Sequence, residues 1–371
     1  MKKAPEPLWL EWPLVLAIGT LAGAFSGSEW IAANLSAPTG LIARLVVICL
    51  VILIAAFAIV RHADVLAHRL GEPGGTLLLT LTITGLEVAM VGFVMSTGEP
   101  KITLARDTMF AVVMLVLNGF MGLALLLGGL RYREQAFNLQ SANAFLALIV
   151  PLTVLGLVLP NHTRSTPGPV LSPFQMVFLS VMSIGIYTVF LWVQNRRHRG
   201  FFMAPDEAAD VAAAAPAQES GHSTIYHAAL LGLYGLPLVV LAKQMASPLD
   251  ALVGRVGAPP ALGGFIMALL VLTPESIAAI RAARVNRLQR SVNLLLGSVL
   301  ASIGLTIPLV ITISLATHRP LTLGLDAVDT VMLLLTLITS ILTFSLPRTN
   351  LLLGCVHLLL FGAYLMLMFD R

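Results

Sequence analysis

The chain has 371 residues, of which 57% are hydrophobic and only 11% charged, where soluble domains carry about 25% charged residues. That balance excludes a soluble globular domain and implies a polytopic membrane protein. The formal net charge of +4 does not point to nucleic acid, because no basic run is long and none is interleaved with aromatic residues.

Taking about 20 apolar residues as one crossing, eleven spans are predicted. They lie near 13–33, 41–60, 74–96, 106–129, 139–160, 172–194, 224–245, 259–281, 289–316, 322–346 and 350–369. The first resembles a secretory signal, with Met1-Lys-Lys ahead of it and an Ala22-Gly-Ala24 triplet within it. Glu11 interrupts the approach and the apolar run continues to Ile31, so it is predicted as an uncleaved leading span. The Gly/Pro-rich stretch from Pro248 to Gly264 is predicted to leave room for a short re-entrant piece. Cys49 and Cys355 both fall inside spans and read as small buried hydrophobes, with no disulfide framework and no cysteine metal site.

Lysine and arginine placement predicts the orientation. With the N-terminus inside, 14 of the 22 basic residues lie on the cytoplasmic side, among them Arg61, Arg69, Arg131, Arg196, Arg281 and Arg348. The C-terminus then lies outside. The longest polar stretch, 195–223, opens with Asn195-Arg-Arg-His-Arg199 and continues Ala/Pro-rich, as a flexible cytoplasmic linker does. The expected division is a leading helix at 1–35, a five-helix repeat at 36–194, the linker, and a second five-helix repeat at 224–371. An odd number of spans, if duplicated, inserts the second copy upside down. The fold class expected is therefore all-α, eleven transmembrane helices, one leading helix plus two inverted five-helix repeats.

Two glutamates set the register of the repeat. Glu87 in Thr82-Ile-Thr-Gly-Leu-Glu87 and Glu275 in Val271-Leu-Thr-Pro-Glu275 each stand inside an apolar span, where an acidic side chain costs about 3 kcal/mol on insertion scales. Gly75 and Gly263 each lie twelve residues before their glutamate. The following span in each half carries a polar residue at similar depth, Asn118 and Ser302. Gly85 and Pro274 are where each helix is expected to loosen, freeing carbonyls near Leu81, Thr82 and Thr84, or near Leu270 and Thr273, as cation ligands.

Two facing carboxylates can hold a hard cation, with amide, hydroxyl and carbonyl oxygens completing the shell. Without the cation, burial and mutual repulsion favour the protonated form of at least one of them. Cation and proton are then mutually exclusive occupants. The expected ligands are Glu87, Glu275, Asn118, Ser302, Ser298, Thr84 and Thr273; the expected partners are inorganic cations, protons and the bilayer, with no cofactor. Ser298, Ser302 and Thr306 share one helical face beside Gly297, Ala301 and Gly304, which also suits close helix packing. Asn118 equally suits interhelical bonding, and the stripe Thr80, Thr84, Glu87 divides in the same way.

Other ionisable groups carry less. Glu29, Asp107, Asp326 and Asp329 lie near span ends, and Asp107 beside Arg106 could gate an outer mouth. His357 reads as a neutral, hydrogen-bonded histidine within the last span. His222 and His227 border the linker, a placement that suits proton sensing although spacing alone is a weak signal.

Two strings carry a resemblance: Leu104-Ala-Arg-Asp-Thr-Met-Phe-Ala-Val-Val-Met-Leu-Val-Leu-Asn-Gly119, and Thr273-Pro-Glu-Ser276 through Asn293-Leu-Leu-Leu-Gly-Ser298 to Pro308. They resemble the calcium/proton exchanger family of the cation/calcium antiporter superfamily, in its bacterial ChaA-type branch. The resemblance covers almost the whole chain. It implies eleven spans, two inverted repeats, and ion-binding glutamates that fall on Glu87 and Glu275. It further implies exchange of Ca2+, Na+ or K+ for protons in a bacterial inner membrane. The family's first motif commonly reads Gly-Asn-Ala-x-Glu where this chain has Ile83-Thr-Gly-Leu-Glu87, and its second often has Gln where Ala301 stands. Two oxygen ligands that the resemblance implies are thus absent. A cation channel and a membrane-embedded enzyme are the competing readings. The sequence has no filter-like loop, and no metalloprotease, nucleophile-elbow or phosphate-loop motif.

Overall fold

The computed structural model describes residues 8–26, 38–70, 74–96, 102–197, 199–202 and 222–370. A 3-10 turn, Leu8–Glu11, leads into α1, Trp12–Ser26. There follow α2 (Pro38–Leu70) and α3 (Gly74–Ser96), then α4 (Leu104–Tyr132), α5 (Leu139–Asn161) and α6 (Pro173–Arg197). The remainder is α7 (Thr224–Val256), α8 (Ala261–Arg284), α9 (Leu288–Thr317), α10 (Ala327–Thr343) and α11 (Leu351–Phe369). Each of the eleven expected spans corresponds to one helix. Among the described residues, nine are long and apolar enough to cross a membrane, and the leading helix and α10 are shorter.

Polar side chains set the helix starts. Asn138, Ser223, Asp326 and Asn350 each accept a hydrogen bond from a backbone N–H of the first turn of the helix they precede. Ser172 and Gln175 cap α6 reciprocally. At the other end of α7, Gly257 takes a left-handed conformation with φ 64, which a glycine adopts without steric cost.

The chain forms two compact units, Met1–Thr97 with Ala214–Pro274, and Gly98–Ala213 with Glu275–Arg371. The first contains α1, α2, α3, α7 and the start of α8. Within it α7 packs along α2, α3 lies against both, and α1 touches α2 and α7. Gly75 makes the α2–α3 approach possible, because a Cβ there would stand 2.1 Å from the carbonyl oxygen of Ala67. Its sequence counterpart Gly263 has only a leucine methyl within reach, at 3.8 Å.

In the second unit α9 packs on α4, α5 and α6, while α11 lies along α4 and α10 touches α4, α5 and α11. A Cβ on Gly354 of α11 would come within 2.5 Å of the Leu126 backbone nitrogen, so these two helices meet backbone to backbone. The segments flanking them pair as a two-stranded antiparallel ribbon, β1 (Glu134–Ala136) with β2 (Arg348–Asn350), Gln135 opposite Thr349. Buried Gln135 donates to the Ala283 carbonyl at 2.8 Å and to Asn286 Oδ1 at 3.1 Å.

Several expectations change. Helix α2 does not stop near residue 60 but continues through Arg61, His62 and Arg69 to Leu70. At 1.5 Å per residue its 33 residues reach about 50 Å, beyond a hydrocarbon core of about 30 Å. The stretch from Pro248 holds no re-entrant piece: α7 runs on to Val256, and α8 starts at Ala261. The loosening expected at Gly85 and Pro274 is absent, since α3 and α8 are continuous through both. One glycine costs only about 1 kcal/mol against alanine, and a proline removes a single donor. Cys49 is half-buried, but Cys355 is exposed rather than buried. The expected linker is described only at 195–197, 199–202 and 222–223, and Glu29 lies outside the described residues. At the linker's start, Phe202 packs edge-on against Phe145 and Phe190 and accepts a hydrogen bond from Asn293 Nδ2 at 2.6 Å.

Candidate functional site

In the first unit Glu87 is 3% exposed on α3, with Thr84 at 2% one turn earlier. Glu87 is the sole ionisable side chain in α3, and the neighbouring Thr82 hydroxyl is spent on the Leu78 carbonyl at 2.7 Å. Thr273 on α8 is half-buried, and its hydroxyl donates to the Leu269 carbonyl one turn back.

In the second unit Glu275 is 5% exposed, directly after Pro274. On helix α6, Tyr187 is buried in the same unit. Its hydroxyl is buried without a hydrogen-bond partner among the described residues, and so is the Thr306 hydroxyl on α9. The Tyr187 side chain packs on Gly304, where a Cβ would sit 3.5 Å from the ring, and Ser183 donates to the Gly304 carbonyl at 2.9 Å. Sequence reasoning passed over Tyr187. The available signal was a phenol in mid-span, which cannot be left without purpose as easily as a phenylalanine.

Asn118, Ser298 and Ser302 are buried in the same unit, on α4 and α9, which pack together. Asn118 stands in the one irregular part of α4, a wide-turned π segment over Met114–Phe120; such segments often mark functional positions. Its side chain is committed to other helices, however. The amide nitrogen donates to Thr336 Oγ1 at 2.8 Å, and the amide oxygen faces His357 Nδ1 at 3.1 Å. Thr336 in turn donates to the Met332 carbonyl at 2.8 Å, so its oxygen is the acceptor and the Asn118 orientation is fixed. His357 Nδ1 must then carry a proton, and Nε2 faces the Thr343 hydroxyl at 2.9 Å. The interhelical reading of Asn118 and the hydrogen-bonded reading of His357 both describe this geometry. Asn293 is likewise committed, its Oδ1 accepting from Ser141 at 2.9 Å and Gln289 at 2.7 Å.

At the span ends, Arg106 donates to Asp107 at 2.8 Å and reaches the Gly324 carbonyl at 3.3 Å. Asp326 caps α10 by accepting from the Asp329 N–H at 2.9 Å. Among the described residues, no group of three or more His, Cys, Asp or Glu side chains is placed to hold a metal ion.

Eleven apolar helices among the described residues, with Glu87 and Glu275 buried within two of them, define a polytopic membrane protein. The sodium/calcium exchanger protein family model matches residues 40–195 and 226–369. The chain is 44% identical over 314 residues to y4hA of Sinorhizobium fredii (strain NBRC 101917 / NGR234), a protein that bears the name of an ionic transporter, covering 84% of this chain and 85% of that one. It is 40% identical over 319 residues to the sodium-potassium/proton antiporter ChaA of Escherichia coli (strain K12), covering 86% of each. Among solved structures, native YfkE superposes with a TM-score of 0.73 at 17% identity, over 97% of this chain and all of that one. The chain belongs to the sodium/calcium exchanger family, in the ChaA-type branch of its calcium/proton exchangers. It is a cation antiporter and not an enzyme.

Proposed function

We propose that the protein exchanges a cation, Na+ or K+ before Ca2+, for protons by alternating access at one site made by Glu87 and Glu275. The observation that carries this reading is the burial of both carboxylates, 3% and 5% exposed, each in an otherwise apolar helix segment. Acidic groups so placed in membrane helices serve ion or proton pathways. The preference for monovalent ions is supported by higher identity to the sodium-potassium/proton antiporter, 40%, than to the Ca(2+)/H(+) antiporter ChaA of Bacillus subtilis (strain 168), 24%. It is also supported by Thr84 and Ala301, a hydroxyl and a methyl where the family has an amide. The commitment of Asn118 and Thr273 to protein partners leaves Thr84 and Ser298 as better candidates than either for additional oxygens.

The two glutamates belong to two five-helix repeats of opposite insertion, 36–194 and 224–371, joined by a cytoplasmic linker. The N-terminus is cytoplasmic and the C-terminus is on the far side of a bacterial inner membrane. The excess of Lys and Arg on one set of loops supports that orientation.

The test uses everted vesicles holding a preset proton gradient. Addition of Na+ or K+ is expected to dissipate it, and Glu87→Gln or Glu275→Gln to abolish the response. Wild-type response to Ca2+ alone would overturn the ion preference. Undiminished exchange in either variant would overturn the site.

A further inference from the structure

A second set of titratable groups lies in the first unit, and the two buried glutamates have no part in it. It gathers where the leading segment meets α2 and α7. His62 and His227 are 1% and 2% exposed, and their Nδ1 atoms approach to 2.8 Å. Glu11 joins them from the turn before α1. Its Oε2 stands 3.2 Å from His62 Nε2 and accepts from the Tyr234 hydroxyl at 2.8 Å. Its Oε1 accepts from Arg61 at 2.8 Å and from the Tyr226 hydroxyl at 3.3 Å. Arg61 Nη2 also lies 3.3 Å from His62 Nε2.

The other charged groups nearby are assigned to neighbours. Arg69 donates to Thr224 Oγ1 and to the His222 carbonyl, and the His222 ring stacks on Tyr226 at 4.1 Å. Asp64 is half-buried two residues beyond His62. Helix α1 contributes no ionisable side chain, and Glu87 is the only one on α3.

Proton counting shows what this arrangement can hold. Two facing Nδ1 atoms at hydrogen-bond distance need one proton between them. When that proton belongs to His62, Nε2 is bare and accepts from Arg61; when it belongs to His227, His62 carries its proton on Nε2 and donates it to Glu11. Both forms are neutral imidazoles. One further proton makes His62 a double donor, to Glu11 on one side and to the Nδ1 lone pair of His227 on the other. The contacts to Glu11 and His227 survive, Arg61 keeps its bond to Glu11 but no longer donates to His62 Nε2, and the carboxylate gains a charge-assisted partner. A second further proton would set two N–H groups face to face at 2.8 Å.

We propose that Glu11, His62 and His227 form a proton-binding site that takes up one proton, tightens the leading segment onto α2 and α7, and so makes transport rate depend on pH at that membrane face. The ligand is the proton itself. Exchange serves only as one of two readouts, and the proposal does not depend on which residues bind the transported cation.

The experiment follows histidine ring nitrogens by NMR in the full-length protein, 15N-labelled at histidine, across about pH 5 to about pH 9. His62 and His227 are assigned through His62→Gln and His227→Gln. Both rings are expected to change through one common midpoint, His227 switching tautomer as His62 gains charge. His62 lies past the apolar run of α2, and Glu11→Gln keeps the side-chain shape while removing the carboxylate that favours the charged ring. That variant is expected to move the common midpoint to lower pH. Independent titration of the two rings, or a midpoint unmoved by Glu11→Gln, would overturn the shared site. In vesicles, His62→Gln is expected to flatten the pH profile of exchange while retaining the wild-type maximum; a profile superimposable on wild type would overturn the link to transport.

Discussion

Two buried histidines in this protein sit in networks of opposite character. His357, in the second unit, is held between Asn118 Oδ1 at 3.1 Å and the Thr343 hydroxyl at 2.9 Å, partners with no charge. His62, in the first unit, has a carboxylate and a guanidinium within 3.3 Å of the same nitrogen, and a second imidazole on the other. Burial is nearly equal, 0% and 1% exposed. What differs is whether a neighbour carries the charge that offsets an added proton. Around His357 the hydrogen-bonded partners, Asn118 and Thr343, are neutral, so neither offsets an added charge. Around His62 the Glu11 carboxylate does. The same side chain thus fastens helices in one place and can respond to pH in the other.

The largest expected effect comes from breaking the neutral network. Asn118→Leu leaves the His357 Nδ1–H and the Thr336 lone pair without partners in a fully buried setting, and is expected to destabilise by about 3 kcal/mol. Thermal unfolding in detergent should show this as a fall of several degrees; an unchanged midpoint would mean that the three groups are not coupled. Thr343→Val removes only the partner of Nε2. A loss of about 1 to 2 kcal/mol is expected, with the pH profile of exchange unaltered, and a shifted profile would erase the contrast between the two histidines. The smallest effect is expected for Tyr226→Phe. Glu11 loses its longest bond, 3.3 Å, and keeps Arg61, His62 and Tyr234, so stability should change by about 0.5 kcal/mol or less. A drop comparable to that of Asn118→Leu would show the Glu11 cluster to be as rigidly specified as the His357 network.

Eleven helices were legible because about 20 apolar residues in a row leave a chain little alternative in lipid. Glu87 and Glu275 were legible for the same reason, as costly exceptions in otherwise apolar runs. The ends were less legible. Arg61 reads as the end of a span, yet α2 continues to Leu70, its polar end packed on α7 and Arg61 bonded to Glu11. Pro274 read as a break, yet α8 runs through it. Irregular backbone occurs instead around Asn118, in a segment without proline, after Pro151 at Val154–Val158 and at the end of α6 over Val193–Arg197.

From the sequence alone follow the number of spans, the two acidic positions and the family resemblance, since each depends on residue type and spacing along one chain. Only the tertiary structure decided which polar groups are already occupied. Asn118 meets His357 across 239 positions, and His62 meets His227 across 165; no local pattern encodes either pair. Hydrogen bonding is satisfied in space rather than along the chain, so the difference between a fastening histidine and a titrating one appears only when their partners are seen.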